Sequence, residues 1–152
     1  MRAVIQRVSR SRVSVSGEEI ASIGRGYMIL LGVSQGDTRA DMEVLCKKIA
    51  QLRIFADDAD KMNLSIRDIG GEILLVSQFT LCASTRHGNR PSFVNAMAPT
   101  EAKTMYEAFG ARLASYGIDV QYGQFGAMMD VELVNDGPVT ILLEAQNGVI
   151  CG

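Results

Sequence analysis

Gly70-Gly-Glu-Ile-Leu-Leu-Val-Ser-Gln-Phe-Thr-Leu81 is the stretch on which the reading of this chain turns. Ile73 to Val76 is a short, wholly apolar run entered through a Gly-Gly turn signal, and such a run predicts a strand buried on both faces. Ser77, Gln78 and Thr80 follow where that strand should still lie inside the protein. Three polar side chains there must find partners or each suffer a desolvation cost of about 1–3 kcal/mol. They are therefore either a strand end hydrogen-bonded to its own turn or the polar part of a site.

Working outward, Arg2 to Val8 and Val13 to Ser16 alternate with the period of a strand, and Glu19–Ile23 and Tyr27–Val33 read as two more. The last is nearly all apolar and belongs in the centre of its sheet. Gly24-Arg25-Gly26 resembles the start of a nucleotide loop, but Ile29 stands where the third glycine would be, so a dinucleotide site is rejected. From Thr38 the spacing turns helical through Met42, Leu45, Cys46, Ile49 and Leu52, with Thr38 and Asp41 as a capping signal. Asp57-Asp58-Ala59-Asp60 fails as a calcium loop, because Met62 takes a ligand position and Ile69 replaces the final glutamate. Pro99-Thr100 opens a second helix that reaches about Tyr116 and stops at Gly117. Strands follow at Ile118–Tyr122, Met128–Val134 and Val139–Leu143, and residues 145–152 have no period and read as a loose tail. Strands, helix, strands, helix, strands predict one domain of layered α/β type, bordering on α+β.

The 152 residues suit one domain, which at that size buries roughly 68–70% of its unfolded surface. A formal net charge of −2 gives no global basic field, so any contact with nucleic acid must be local. Cys46, Cys82 and Cys151 are odd in number and show no Cys-x-x-Cys spacing, which argues against a disulfide framework and a zinc site. No apolar run approaches the ~20 residues of a membrane span, and the first residues are charged too early for a signal peptide. The expectation is a soluble cytoplasmic protein with neither metal nor cofactor. The single histidine, His87, lies in a polar loop, so any histidine-based triad would depend on it alone.

A second polar island, Asn135-Asp136-Gly137-Pro138-Val139-Thr140, lies between two strand-like runs. Ser77-Gln78-Phe79-Thr80 followed by Asn-x-Gly-Pro-x-Thr resembles the signature pair of the D-aminoacyl-tRNA deacylases (D-tyrosyl-tRNA deacylases). Met-Arg-Ala-Val-Ile-Gln-Arg-Val at 1–8, Lys-Met-Asn-Leu at 61–64 and Gly-Asn-Arg-Pro-Ser-Phe at 88–93 are similar to that family too, so the resemblance runs from Met1 to about Glu144.

The resemblance implies barrel-like layered sheets covered by two helices, in a homodimer. It implies an esterase acting on D-aminoacyl-tRNA and on mischarged glycyl-tRNA, a proofreading step in translation. Ser77, Gln78, Phe79 and Thr80 would hold the terminal adenosine and the ester, and the RNA 2′-hydroxyl would help to activate water. Gly137 and Pro138, joined by a cis bond, would enter the partner's active site and exclude an L side chain, with Asn135 and Thr140 beside them and Arg7 bracing the turn. Arg86 and Arg90, and the N-terminal arginines 2, 7, 10 and 12, are candidates for tRNA phosphates. A threonine-nucleophile esterase using Thr80 is one alternative. A non-catalytic dimeric nucleic-acid-binding module is another.

Overall fold

The computed structural model describes residues 1–152. Its framework is a seven-stranded sheet built from β1 (Arg2–Val15), β2 (Glu18–Ile23), β3 (Gly26–Gly32), β6 (Glu72–Ser77), β7 (Asp119–Tyr122), β8 (Asp130–Gln146) and β9 (Val149–Ile150). A small separate pair is formed by β4 (Phe55–Ala56) and β5 (Met62–Leu64). The order across the large sheet is β7-β6-β3-β1-β8-β9, with β2 on β1. β3, β6 and β7 run parallel, joined by the crossover helices α1 (Arg39–Gln51) and α2 (Pro99–Ala114), while β1, β2 and β8 are antiparallel.

The apolar run at 73–76 does what its composition predicts. Ile73 and Leu75 face the helices in a cluster of 23 buried residues that includes Ile5, Ile29, Leu45, Ile49, Phe109 and Leu113. Leu74 and Val76 face the other way, into a second cluster with Val8, Val13, Ala21, Ile23 and Met28. That cluster exists because the outer half of β1 bends over with β2, covering the sheet face away from the helices and giving the molecule its barrel-like curl. Each such side chain removed from water contributes on the order of 1.5–3 kcal/mol. No helix is long and apolar enough to cross a membrane.

Two features differ from the sequence expectation. The stretches expected as two strands at 128–134 and 139–143 fall in one continuous strand, β8, which begins only at Asp130 and whose residues 136–139 bulge away from β1 between the paired positions Val8–Asn135 and Gln6–Thr140. The tail is not loose. Ala145 and Gln146 pair with Ile150 and Val149 across a turn at Asn147-Gly148, both with positive φ, and Ala145 is fully buried. Asn-Gly is the preferred pair for a two-residue hairpin turn, and here the arms are too short to show a period.

Asp41 latches that tail. Its carboxylate accepts the Thr38 N–H at 2.8 Å, completing the α1 cap, and the Gly148 N–H at 2.8 Å. Burial alone would raise its pKa, but the N–H donors of Gly148 and Thr38, the Thr38 hydroxyl and the nearby N-terminal ammonium outweigh it, and the carboxyl titrates below its ordinary range. A lowered folded-state pKa means the latch stabilises fully above about pH 4 and loses its effect as pH falls through the folded value. Asp41→Ala should cost about 1–3 kcal/mol in urea unfolding at pH 7, with the gap to wild type narrowing at pH 3. A gap that stays constant with pH would remove the charge from this account.

Candidate active site

Ser77 ends β6 as the last paired residue, opposite Leu31 of β3, and the Gln78 N–H donates to the Leu31 carbonyl at 2.8 Å, carrying the chain beside the end of β3. A single 3-10 turn, Phe79–Cys82, follows at once. Carboxyl ends of parallel strands are where open α/β sheets bind ligands, because the connections splay there and leave a crevice. The crevice here is a cavity of ≈ 690 Å³ lined by eighteen residues. Ser77, Gln78, Phe79 and Thr80 form one wall, while Phe93, Met97, Phe125, Met128 and Met129 make up much of the rest. Phe79 and Phe93 meet edge to face with centroids 5.1 Å apart.

The four residues from the sequence motif are thus together, and their polar atoms have specific partners. The Gln78 side-chain amide donates to Thr80 Oγ1, which leaves the threonine hydroxyl hydrogen free. The N–H groups of Phe79 and Thr80, the first two of the turn, have no acceptor in the chain, as first-turn donors generally lack one. Two free backbone donors beside an apolar cavity suit a developing negative charge on oxygen.

Equally informative is what the cavity lacks. None of its lining residues carries an ionisable side chain, and Ser77, Gln78 and Thr80 are its only polar ones. His87 is exposed in the loop beyond and does not line the cavity. Cys46 is buried in the core, where desolvation and the nearby Glu43 push its thiol up to about 12, so it supplies no thiolate. Nowhere do three or more His, Cys, Asp or Glu side chains gather as a metal site would need.

Asn135, Asp136, Gly137, Pro138 and Thr140 lie elsewhere, in the β8 bulge, and line no part of this cavity in their own chain. Asn135 braces the bulge by accepting the Val139 N–H at 2.9 Å and donating to Thr140 Oγ1 at 3.0 Å. Arg7 holds it from below, Nε donating to the Asp136 carbonyl at 3.0 Å and Nη1 to the Ile54 carbonyl at 2.5 Å. The Gly137–Pro138 peptide bond is cis, and Gly137, Pro138 and Thr140 are exposed.

Of the candidate phosphate contacts, Arg86 and Arg90 project from an exposed loop whose ends are tied by Ser84 and Ser92, exchanging N–H···O bonds of 2.8 and 2.9 Å. Arg10 is exposed and forms no ion pair. Arg2, Arg7 and Arg12 are instead committed within the chain, to Leu81 and Glu144, to the bulge, and to Glu132 and Glu19. The aromatic and methionine wall leaves no signal in the sequence, because its residues sit in connections where apolar side chains carry no period.

Gly32, at the end of β3, supports the turn from beneath. A Cβ there would come within 2.8 Å of Leu81 Cβ and 3.2 Å of the Gln78 carbonyl oxygen. Gly32→Ala should displace the Phe79–Cys82 turn and cost about 1–3 kcal/mol, read as shifted amide resonances confined to 77–83 together with a lower urea midpoint. Unchanged resonances would show that the contact relaxes freely.

Comparison with known proteins agrees along nearly the whole chain. Residues 4–144 match the family model described as D-Tyr-tRNA(Tyr) deacylase. A D-aminoacyl-tRNA deacylase of Roseiflexus castenholzii is 60% identical over 145 residues, covering 95% of this chain and 92% of the relative. Its namesake in Heliobacterium modesticaldum is 52% identical, covering 97% and 99%. Among solved structures, one titled c-Myc DNA Unwinding Element Binding Protein superposes with a TM-score of 0.90 at 44% identity, over 96% of this chain and 99% of that one. A structure titled as a probable eukaryotic D-amino acid tRNA deacylase shares the fold, with a TM-score of 0.81 at 16% identity over 95% and 98%.

Proposed function

The chain belongs to the D-Tyr-tRNA(Tyr) deacylase family, and on that footing we propose that its cavity hydrolyses the ester between a D-amino acid, or mischarged glycine, and the terminal adenosine of tRNA. The enzyme is a hydrolase of the D-aminoacyl-tRNA deacylase type, and the proposed role is chiral proofreading in the cytoplasm. The observation that carries the mechanism is the lack of any ionisable group lining the cavity.

An aminoacyl ester is already activated, and its ribose brings a 2′-hydroxyl beside the reacting carbonyl. In the proposed complex the adenosine packs on the apolar wall, and the Phe79 and Thr80 N–H groups receive the charge that builds on the carbonyl oxygen. One well-placed donor of this kind is worth on the order of 10²–10³ in rate. The 2′-hydroxyl assists the attacking water, and water's oxygen forms the new bond to the carbonyl carbon as the ribose oxygen leaves with a proton. Attack by Thr80 is disfavoured because no base lies beside its hydroxyl and its oxygen already accepts from Gln78.

Chirality requires a wall on the side of the α-carbon that the chain's own residues leave open. Gly137 and Pro138 supply that wall in the partner's cavity if two copies assemble, so that an L side chain collides while a D residue or glycine fits. Specificity then comes from rejection as well as attraction. The exposed position of the bulge, its bracing by Asn135, Thr140 and Arg7, and its distance from its own cavity favour this arrangement. Neighbouring Val134 and Leu142 on the same strand are exposed apolar residues, as an interface would use. Arg86 and Arg90, exposed in the loop preceding the cavity residue Phe93, are the proposed contacts to acceptor-stem phosphates.

The test is release of amino acid from D-Tyr-tRNA and L-Tyr-tRNA by wild type, Thr80→Ala and Gly137→Ala. Wild type should act on the D ester alone, and Thr80→Ala should be slower by about 10- to 100-fold yet active. Complete loss in Thr80→Ala would instead make it the nucleophile. At Gly137, φ is +131° and an added Cβ would meet Val139 Cγ2 at 2.8 Å and Arg7 Nη2 at 3.1 Å, so Gly137→Ala should erode the D/L ratio. No turnover of either ester by wild type would sink the reading.

A further inference from the structure

The turn that carries Phe79 and Thr80 has a clamp at its far end, outside both the Ser77–Thr80 and the Asn135–Thr140 stretches. Gly32, Arg2 and Glu144 stand in one row across three adjacent strands, Arg2 of β1 pairing with Gly32 of β3 on one side and with Glu144 of β8 on the other. Gly32 lets the turn settle onto β3, since any side chain there would strike Leu81. From the next strand, Arg2 Nη1 donates to the Leu81 carbonyl at 3.0 Å, while its Nε lies 3.2 Å from Glu144 Oε1. The Leu81 N–H in turn donates to the Gln78 carbonyl at 3.2 Å, so the residue Arg2 grips is the one that closes the turn around Phe79 and Thr80.

We propose that Arg2 is a positioning residue for this turn, holding the Phe79 and Thr80 N–H groups at a fixed depth in the cavity, with Glu144 orienting the guanidinium. The inference rests on the deacylase reading. Its chemistry is that of a cation on the last carbonyls of a helical turn, where it binds an otherwise open acceptor and favours the dipole. Arginine suits the position because its planar fork serves a carbonyl and a carboxylate at once, which the point charge of lysine does not. The side chains of Arg2 and Glu144 are 40% and 37% exposed, and ion pairs at such exposure contribute little to global stability. Arg2 therefore acts on geometry and leaves the fold intact when replaced. It is also occupied, which removes it from the arginines available to RNA phosphates.

Arg2→Gln and Arg2→Lys separate these roles. With wild type turning over D-Tyr-tRNA, Arg2→Gln should lower kcat by about 10- to 100-fold, the scale expected of a small displacement of oriented groups, with KM changed less than about twofold. Arg2→Lys should fall in between, and millimolar guanidinium ion should restore part of the kcat of Arg2→Gln. Amide exchange should quicken at Leu81 and Ala83 while the β3 and β6 amides keep their protection. An unchanged kcat, a loss carried wholly by KM as a phosphate contact would give, or unaltered exchange at Leu81 and Ala83 would each overturn the proposal. Should wild type prove inactive, the deacylase reading fails, and the exchange comparison alone decides whether Arg2 holds the turn.

Discussion

Two-sided burial of the parallel pair β3 and β6 is the constraint on which the rest depends. Ile73 and Leu75 commit one face to the helices, and Leu74 and Val76 commit the other to the folded-over half of β1 and β2. With both faces covered, neither strand can slip or tilt without exposing apolar surface or overpacking a core. The chain leaving β6 is thereby placed to within a narrow tolerance. Ser77 and Gln78 emerge at the covered end, the Leu31 carbonyl takes the Gln78 N–H, and the 3-10 turn begins where no further strand pairing is available. A rigid apolar scaffold thus ends in a short polar segment with two backbone donors unspent.

The same economy governs the chemistry. Ionisable groups in an apolar cavity of this kind would carry a desolvation penalty and need partners of their own. This cavity avoids the cost by lining itself with amide, hydroxyl and backbone N–H groups that stay neutral. Under the proposed function, such a site suits a reaction whose substrate brings its own activating group, as the ribosyl ester of an amino acid does. The β8 bulge follows a parallel logic: the Asn135 side chain takes over the Val139 N–H that the ladder gives up, and Arg7 caps the Asp136 carbonyl. Backbone pulled out of a sheet is tolerable when its polar groups are satisfied in this way.

Much of this was legible in the sequence, for identifiable reasons. The apolar run at 73–76 could only be a covered strand and Thr38 with Asp41 marked the start of α1, whereas Ser77 and Gln78 are half-buried and Thr80 is exposed, not enclosed as a continuing buried strand would have them, because the strand gives way to a 3-10 turn after Ser77. Asn135 to Thr140 reads as a break between strands, since Asn-Asp-Gly-Pro has the composition of a turn and only the pairing with β1 shows a bulge. The final hairpin leaves only Asn147-Gly148 as a sequence signal, because two-residue arms are too short for a pattern and the Asp41 latch comes from residues far off in sequence. Phe93, Phe125 and Met128 carried no signal, since their shared cavity is created by tertiary folding alone. The separation of Gly137 from its own cavity was likewise a fact of three dimensions.

The central claim is that a neutral pocket works because the substrate supplies the activating hydroxyl. Single-turnover hydrolysis of D-Tyr-tRNA ending in 2′-deoxyadenosine, with the amino acid on the 3′-oxygen, tests it directly against the normal ribose terminus. Loss of the 2′-hydroxyl should slow hydrolysis by about 10²–10⁴, the usual worth of a positioned proton-transfer group, while binding measured at equilibrium stays within a few-fold. Equal rates for the two substrates would mean that the protein itself provides the activation, and the account of a pocket without a base would be wrong.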